Sequence, residues 1–142
     1  MIIFYVMRHI NVVGAAIIKN GKLFVAQRPE GKEVGLKWEF PGGKIEDGET
    51  PKQALEREIL EELGTYVEVN NYIATVRHQY PTFHLTMQVF KCTLTGPEPV
   101  LTEHVACRWI TAQEIENLDW APADYKILDA VRQCLLSSGQ NP

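Results

Sequence analysis

The stretch Gly43-Lys44-Ile45-Glu46-Asp47-Gly48-Glu49, followed after seven residues by Arg57-Glu58-Ile59-Leu60-Glu61-Glu62-Leu63-Gly64, decides how this chain is read. A glycine-rich turn leads into a segment whose carboxylates at 58, 61 and 62 recur at helical spacing beside an arginine. Thr50 and Pro51 open the helix, as an N-cap and a first-turn proline, with Gln53 completing a capping-box pattern. Gly64 supplies the left-handed stop. At about 100° per residue, Glu58, Glu61 and Glu62 share an arc of about 100°. Leu55, Ile59, Leu63 and Leu60 fill the opposite side. One alternative is a plain solvated face. Against it, like charges at i, i+3 and i+4 repel, and such a local cost is expected where function requires it.

Oxygen-only ligands in a cluster favour hard divalent cations, Mg²⁺ or Mn²⁺. Mg²⁺ keeps several waters and is commonly completed by substrate phosphates. The segment therefore predicts a metal-bridged di- or triphosphate attacked by a metal-activated water. Arg57 is placed to orient the carboxylates through bidentate hydrogen bonds; the alternative is a surface ion pair worth little.

Working outward, the 142 residues predict one domain over 1–142 with a real core. Net charge is −4, so there is no basic excess for duplex nucleic acid. Three cysteines at 92, 107 and 134, without a C-x-x-C pair, read as reduced thiols of a cytoplasmic protein. The apolar start Met1–Val6 is too short for a membrane span or a secretion signal. It reads either as an extra N-terminal strand within 1–9 or as sequence preceding a start at Met7. Strands are expected at Ile10–Ile18 and Lys22–Arg28, joined by an Asn20-Gly21 turn. Trp38-Glu39-Phe40 is a short extended piece broken by Pro41-Gly42-Gly43. Val67–Tyr80 and Phe83–Leu94 read as long strands and His104–Ile110 as a further one. Thr111 to Glu114 caps a short helix. Pro122 starts a last helix to about Leu136, and 137–142 should fray. This order predicts an α/β class with a mixed sheet and helices on its faces.

The quoted stretch resembles the Nudix box, G-x5-E-x7-R-E-U-x-E-E-x-G-U with U apolar, and departs from it only at Thr65. The resemblance covers roughly Asn11 to Leu135 and implies an α/β/α sandwich, with the loop–helix and the C-terminal helix on the sheet faces. It implies metal binding by Glu58, Glu61, Glu62 and the carbonyl of Gly42, with Glu103 matching an outlying carboxylate of MutT-like members. Glu61 and Glu103 both stand as candidates for the general base, and Glu49 is more structural than catalytic. Arg28 closes the second strand and is a candidate phosphate contact; an exposed strand-end arginine is the alternative. His78, His84 and His104 lack metal-ligand spacing and read as packing or surface residues.

The flanks Trp38–Glu46 and Ala121-Pro122-Ala123-Asp124 are most similar to the CTP pyrophosphohydrolase and 8-oxo-dGTP diphosphatase members. There the resemblance implies that Asp124 reads the base and that Phe40 stacks on it. An ionised Asp only accepts hydrogen bonds, and a protonated one also donates. Asp124 as a helix first-turn acid and Phe40 as a core aromatic are the alternatives. The basic residue that MutT proteins carry at Phe83 is missing. The expected activity is release of a nucleoside monophosphate and pyrophosphate from a nucleoside triphosphate. The expected partners are that small molecule, no membrane, and either no second copy or one in a homodimer. An ADP-ribose or dinucleotide diphosphatase, for which Tyr80-Pro81 is a weak mark, and a non-catalytic nucleotide-sensing module are the other readings.

Overall fold

The computed structural model describes residues 7–31 and 34–138. The strand expected at Met1–Val6 and the tail from 139 lie outside the described residues. The described chain runs through β1 (Arg8–Lys19), β2 (Lys22–Gln27), β3 (Trp38–Glu39), β4 (Gly42–Lys44), α1 (Pro51–Leu63), β5 (Val67–Tyr80), β6 (Phe83–Leu94) and β7 (Ala106–Ile110). A 3-10 helix (Ala112–Asn117), α2 (Pro122–Tyr125) and α3 (Leu128–Ser138) complete it.

The sheet is mixed. β1 pairs in parallel with β6 over Arg8–Ile17, and β5 pairs antiparallel with β6. β1 and β2 meet only beside their turn, at Ile18↔Leu23 and Lys19↔Lys22. Both turn residues, Asn20 and Gly21, have positive φ (53° and 73°), the geometry a two-residue I′ turn demands. Beyond the turn β2 pairs instead with β7 and β3. That divergence lets β4 take up the free edge of β1, with Val12↔Lys44, Val13↔Gly43 and Gly14↔Gly42.

Alternation on each strand splits the core between two faces. Val13, Ala15 and Ile17 of β1 and Phe24 and Ala26 of β2 pack under α1 with Leu55, Ile59 and Leu63. Ala16, Leu23 and Val25 face the other way, onto Ile115, Ile127, Val131 and Leu135. The α/β/α sandwich thus follows from period-2 patterning buried on both sides. Among the described residues no helix is long and apolar enough to cross a membrane.

Several expectations need correction. The extended piece does end before Pro41, as expected, but the two glycines then resume an extended course at the start of β4 (Gly42–Lys44). The ladder to β1 overrides glycine's weak strand preference, and a side chain at Gly42 would run into the Val13 carbonyl. The last helix is interrupted: Lys126 and Ile127 donate to the carbonyls of Ala123 and Asp124, a tighter i→i−3 turn between α2 and α3. α3 continues to Ser138, into the stretch expected to fray. The short helix expected after Thr111 is present, as a 3-10 helix, whereas β7 starts at Ala106, leaving His104 in the preceding loop.

α1 itself spans the predicted limits. The Thr50 hydroxyl accepts from Gln53 N–H (3.1 Å), the Gln53 side chain accepts from Thr50 N–H (2.9 Å), and Gly64 closes the helix at φ 59°. Thr65, the departure from the box, is fully buried, and its hydroxyl donates to the Pro97 carbonyl. That satisfies the polar group an aliphatic residue would not bring. Leu60 is 43% exposed, so the apolar face is narrower than the spacing predicts. Ile59→Ala should therefore cost about 2–5 kcal/mol in denaturant unfolding, and Leu60→Ala only about 0.5 kcal/mol or less.

Candidate active site

The acidic face of α1 is held by one guanidinium. Arg57 Nε donates to Glu49 Oε2 (2.7 Å) and one Nη to Glu49 Oε1 (2.9 Å), a bidentate pair. The same Nη reaches the Lys44 carbonyl (2.9 Å), and the other binds Glu58 (2.9 Å) and Glu61 (3.2 Å). Glu49 also accepts from Glu46 N–H at 2.9 Å. These bonds hold the Glu49 carboxyl below its usual range, Arg57 first and Glu46 N–H second. They raise the guanidinium well above its own. Glu49 thus fastens the loop to α1 through Arg57.

Gly43 lies against Glu58: a side chain on Gly43 would occupy the space of the Glu58 carboxylate. Burial raises the Glu58 pKa against the opposing bond from Arg57. Glu62, one turn on, is buried more deeply. Desolvation pushes it up to about 7; His104 and the Gly42 N–H oppose the rise, while Glu58 and Glu39 add to it. Its Oε2 is buried without a hydrogen-bond partner. Glu61 turns outward, its side chain 59% exposed.

Above the helix opens a cavity of about 360 Å³. Its polar lining brings together Arg28, Glu39, Gly42, Gly43, Glu62, Glu103, His104 and Asp124. Phe40, Val12, Tyr80, Phe83, Leu85 and Met87 form much of the apolar wall. Glu103 stands exposed in the bend before β7. Arg28 donates to Glu39 Oε1 at 3.0 Å. Phe40 is 4% exposed and packs on Trp120 at 5.4 Å between ring centroids. Its N–H donates to Asp124 Oδ2 at 3.0 Å. Asp124 is itself only 5% exposed. Burial pushes its carboxyl up to about 8, with Glu39 adding to the rise and the N–H groups of Phe40 and Asp124 opposing it.

Glu39 and His104 carry no spacing signal that marks them as site residues, and the sequence alone makes His104 a packing or surface residue. Instead its side chain, 6% exposed, lines the cavity and hydrogen-bonds Glu39 through Nε2 at 2.9 Å. The partners are far apart in sequence, and only the β2–β3 and β2–β7 pairings bring them together. His78 and His84 do sit in packing contacts, on Tyr80 and His9.

A NUDIX domain profile matches residues 12–130. The chain belongs to the Nudix family. It is 38% identical over 120 residues to the putative 8-oxo-dGTP diphosphatase 2 of Mycobacterium tuberculosis, covering 80% of this chain and 81% of that one. It is 35% identical over 136 residues to the CTP pyrophosphohydrolase of Escherichia coli, covering 87% and 92%. The solution structure of a MutT protein of the family, from methicillin-resistant Staphylococcus aureus, superposes with a TM-score of 0.74 at 41% identity, covering 90% and 98%. The protein is thus a Nudix hydrolase, and hydrolases of this family generally use divalent metal ions.

The donors fit such an ion. Among the described residues no cluster of three His, Cys, Asp or Glu side chains forms a ready metal cage. An ion that keeps waters and is completed by substrate phosphates needs no such cage. The buried, unpartnered Oε2 of Glu62 lacks the partner that a cation would supply.

Asp124 makes stability pH-dependent in this Nudix hydrolase. Its folded pKa lies above the ordinary 3.8, so between about 4 and about 8 the native state holds a proton the unfolded chain has lost. Its contribution to stability falls as pH rises through that window. Asp124→Asn keeps an acceptor for Phe40 N–H and removes the slope. Thermal melts at pH 5 to 9 should show the Asn variant gaining on wild type as pH rises.

Proposed function

We propose that this Nudix hydrolase is a Mg²⁺-dependent nucleoside triphosphate pyrophosphohydrolase, releasing nucleoside monophosphate and pyrophosphate. Its substrates would be CTP, dCTP, modified pyrimidine or 8-oxo-purine deoxynucleotides, as in nucleotide-pool cleaning. The observation that carries this reading is one cavity lined both by Glu62, whose buried Oε2 has no partner, and by the buried carboxyl of Asp124. The names of the M. tuberculosis and E. coli relatives support the same substrate range.

When bound, the cation polarises phosphate oxygens and lowers the pKa of a water. Glu58, Glu62 and the Gly42 carbonyl would hold it, joined by Glu61 or Glu103. Arg57 keeps the carboxylates in register, and Gly43 leaves room for Glu58. The bond broken is the anhydride between the α- and β-phosphorus. Water oxygen bonds to phosphorus, its proton passes to Glu61 or Glu103, and pyrophosphate leaves. Arg28 would bind the phosphate chain.

At the base, burial decides what Asp124 offers. With a pKa of about 8, Asp124 is mostly protonated near pH 7 and presents a donor as well as acceptors. It can therefore meet a cytosine edge or a guanine-type edge, which fits a range including CTP and 8-oxo-dGTP. Phe40, fixed on Trp120, lines the same cavity and would meet the base there.

Glu58→Gln and Glu62→Gln should each lower kcat by about 10²-fold or more in Mg²⁺, the loss typical of a group acting in the transition state; near-wild-type turnover in either contradicts the mechanism. In a panel of nucleoside triphosphates, Asp124→Asn should change the ratio of kcat/KM values between cytosine and 8-oxoguanine substrates. An unchanged ratio removes Asp124 from base recognition.

A further inference from the structure

Glu39 has no place in the mechanism above, yet it is an acid on the cavity wall held by two side chains. Its side chain is 19% exposed, and both oxygens are taken: Oε1 by Arg28 (3.0 Å) and Oε2 by His104 Nε2 (2.9 Å). Its backbone is equally constrained. β3 pairs with Ala26–Gln27 on one side. On the other, Trp38 N–H donates to the Asp119 carbonyl (2.8 Å) and Ala121 N–H to the Trp38 carbonyl (2.9 Å). A carboxylate fixed at its backbone and at one oxygen is a rigid anchor for whatever binds the other oxygen.

We propose that His104 is a positioning residue which, by locking Glu39, sets the plane of the Arg28 guanidinium toward the phosphates of the substrate. This rests on the reading of Arg28 as a phosphate contact. The chemistry favours it. Burying a carboxylate beside the acidic Glu62 is costly unless the charge is paired and hydrogen-bonded. Arg28 supplies the charge, and His104 supplies the second bond. A guanidinium is a planar fork, so fixing one N–H direction fixes the others. Orientation before binding spares the entropy of ordering a long side chain in the complex. Without His104 the Glu39 carboxylate loses one of its two side-chain anchors, and the aim it gives Arg28 is less well defined.

The test is a double-mutant cycle on purified protein with Mg²⁺ and CTP or 8-oxo-dGTP. His104→Ala should lower kcat/KM about 10-fold in the wild-type background, mainly through KM, and less than about 2-fold in an Arg28→Ala background. His104→Gln, which retains an N–H donor, should recover most of the loss. Equal losses in both backgrounds, or no loss in the first, overturn the proposal. If the wild type hydrolyses neither nucleotide, the proposed function fails, and positioning is read by nitrogen-15 NMR. Restricted Arg28 guanidinium N–H signals should be present in wild type and His104→Gln and broaden in His104→Ala. Should His104→Ala not fold, Glu39→Gln takes its place in both readouts, with the same loss, the same broadening and the same absence of effect as the contrary result. Arg28 signals that do not respond overturn the proposal.

Discussion

The geometry of the site depends on Arg57 outcompeting the repulsion among the acids around it. Glu46, Glu49, Glu58 and Glu61 all lie within 4 Å of its guanidinium nitrogens. The same side chain reaches the Lys44 carbonyl at the end of β4. One residue therefore ties three things together: the loop, the helix and the edge strand that carries Gly42 and Gly43. Exposed ion pairs contribute little singly. Here the pairs share one fork and are bidentate at Glu49, the geometry in which such contacts carry both energy and direction.

A second constraint is desolvation. Glu62 and Asp124 are both buried enough to be pushed far above ordinary carboxylate values. The cavity thus holds acids that cost stability when ionised. Under the proposed function, Glu62, with an unpartnered oxygen, would gain from a bound cation. Asp124, held by Phe40 N–H, gains when it keeps its proton. Glu39 raises the pKa of both.

What the sequence revealed was local. The ends of α1 follow from Thr50, Pro51, Gln53 and Gly64, and the β1–β2 turn from Asn20-Gly21, because each signal acts within a few residues. The grouping of Glu58 and Glu62 follows from helical period alone. The parts that escaped were set at long range. Gly42 and Gly43 become a strand only because β1 offers an edge. His104 joins the cavity because β7 lies beside β2, and its partner Glu39 is 65 residues away. The break after Tyr125 arises in a segment packed against β5 and the core, where Ala123, Ile127 and Leu128 are all buried. Thr65 departs from the box without damage because Pro97 meets its hydroxyl, a contact spanning 32 residues.

On the proposed reading, the α1 face and the cavity beside it form a metal-assisted anhydride hydrolase site with a place for the base. The most direct measurement of that claim is phosphorus-31 NMR of the products when the protein is incubated with CTP or 8-oxo-dGTP and Mg²⁺. The account predicts nucleoside monophosphate and pyrophosphate in equal amounts, with no turnover once the cation is chelated. Inorganic phosphate with a nucleoside diphosphate, turnover that survives chelation, or intact triphosphate throughout would contradict it.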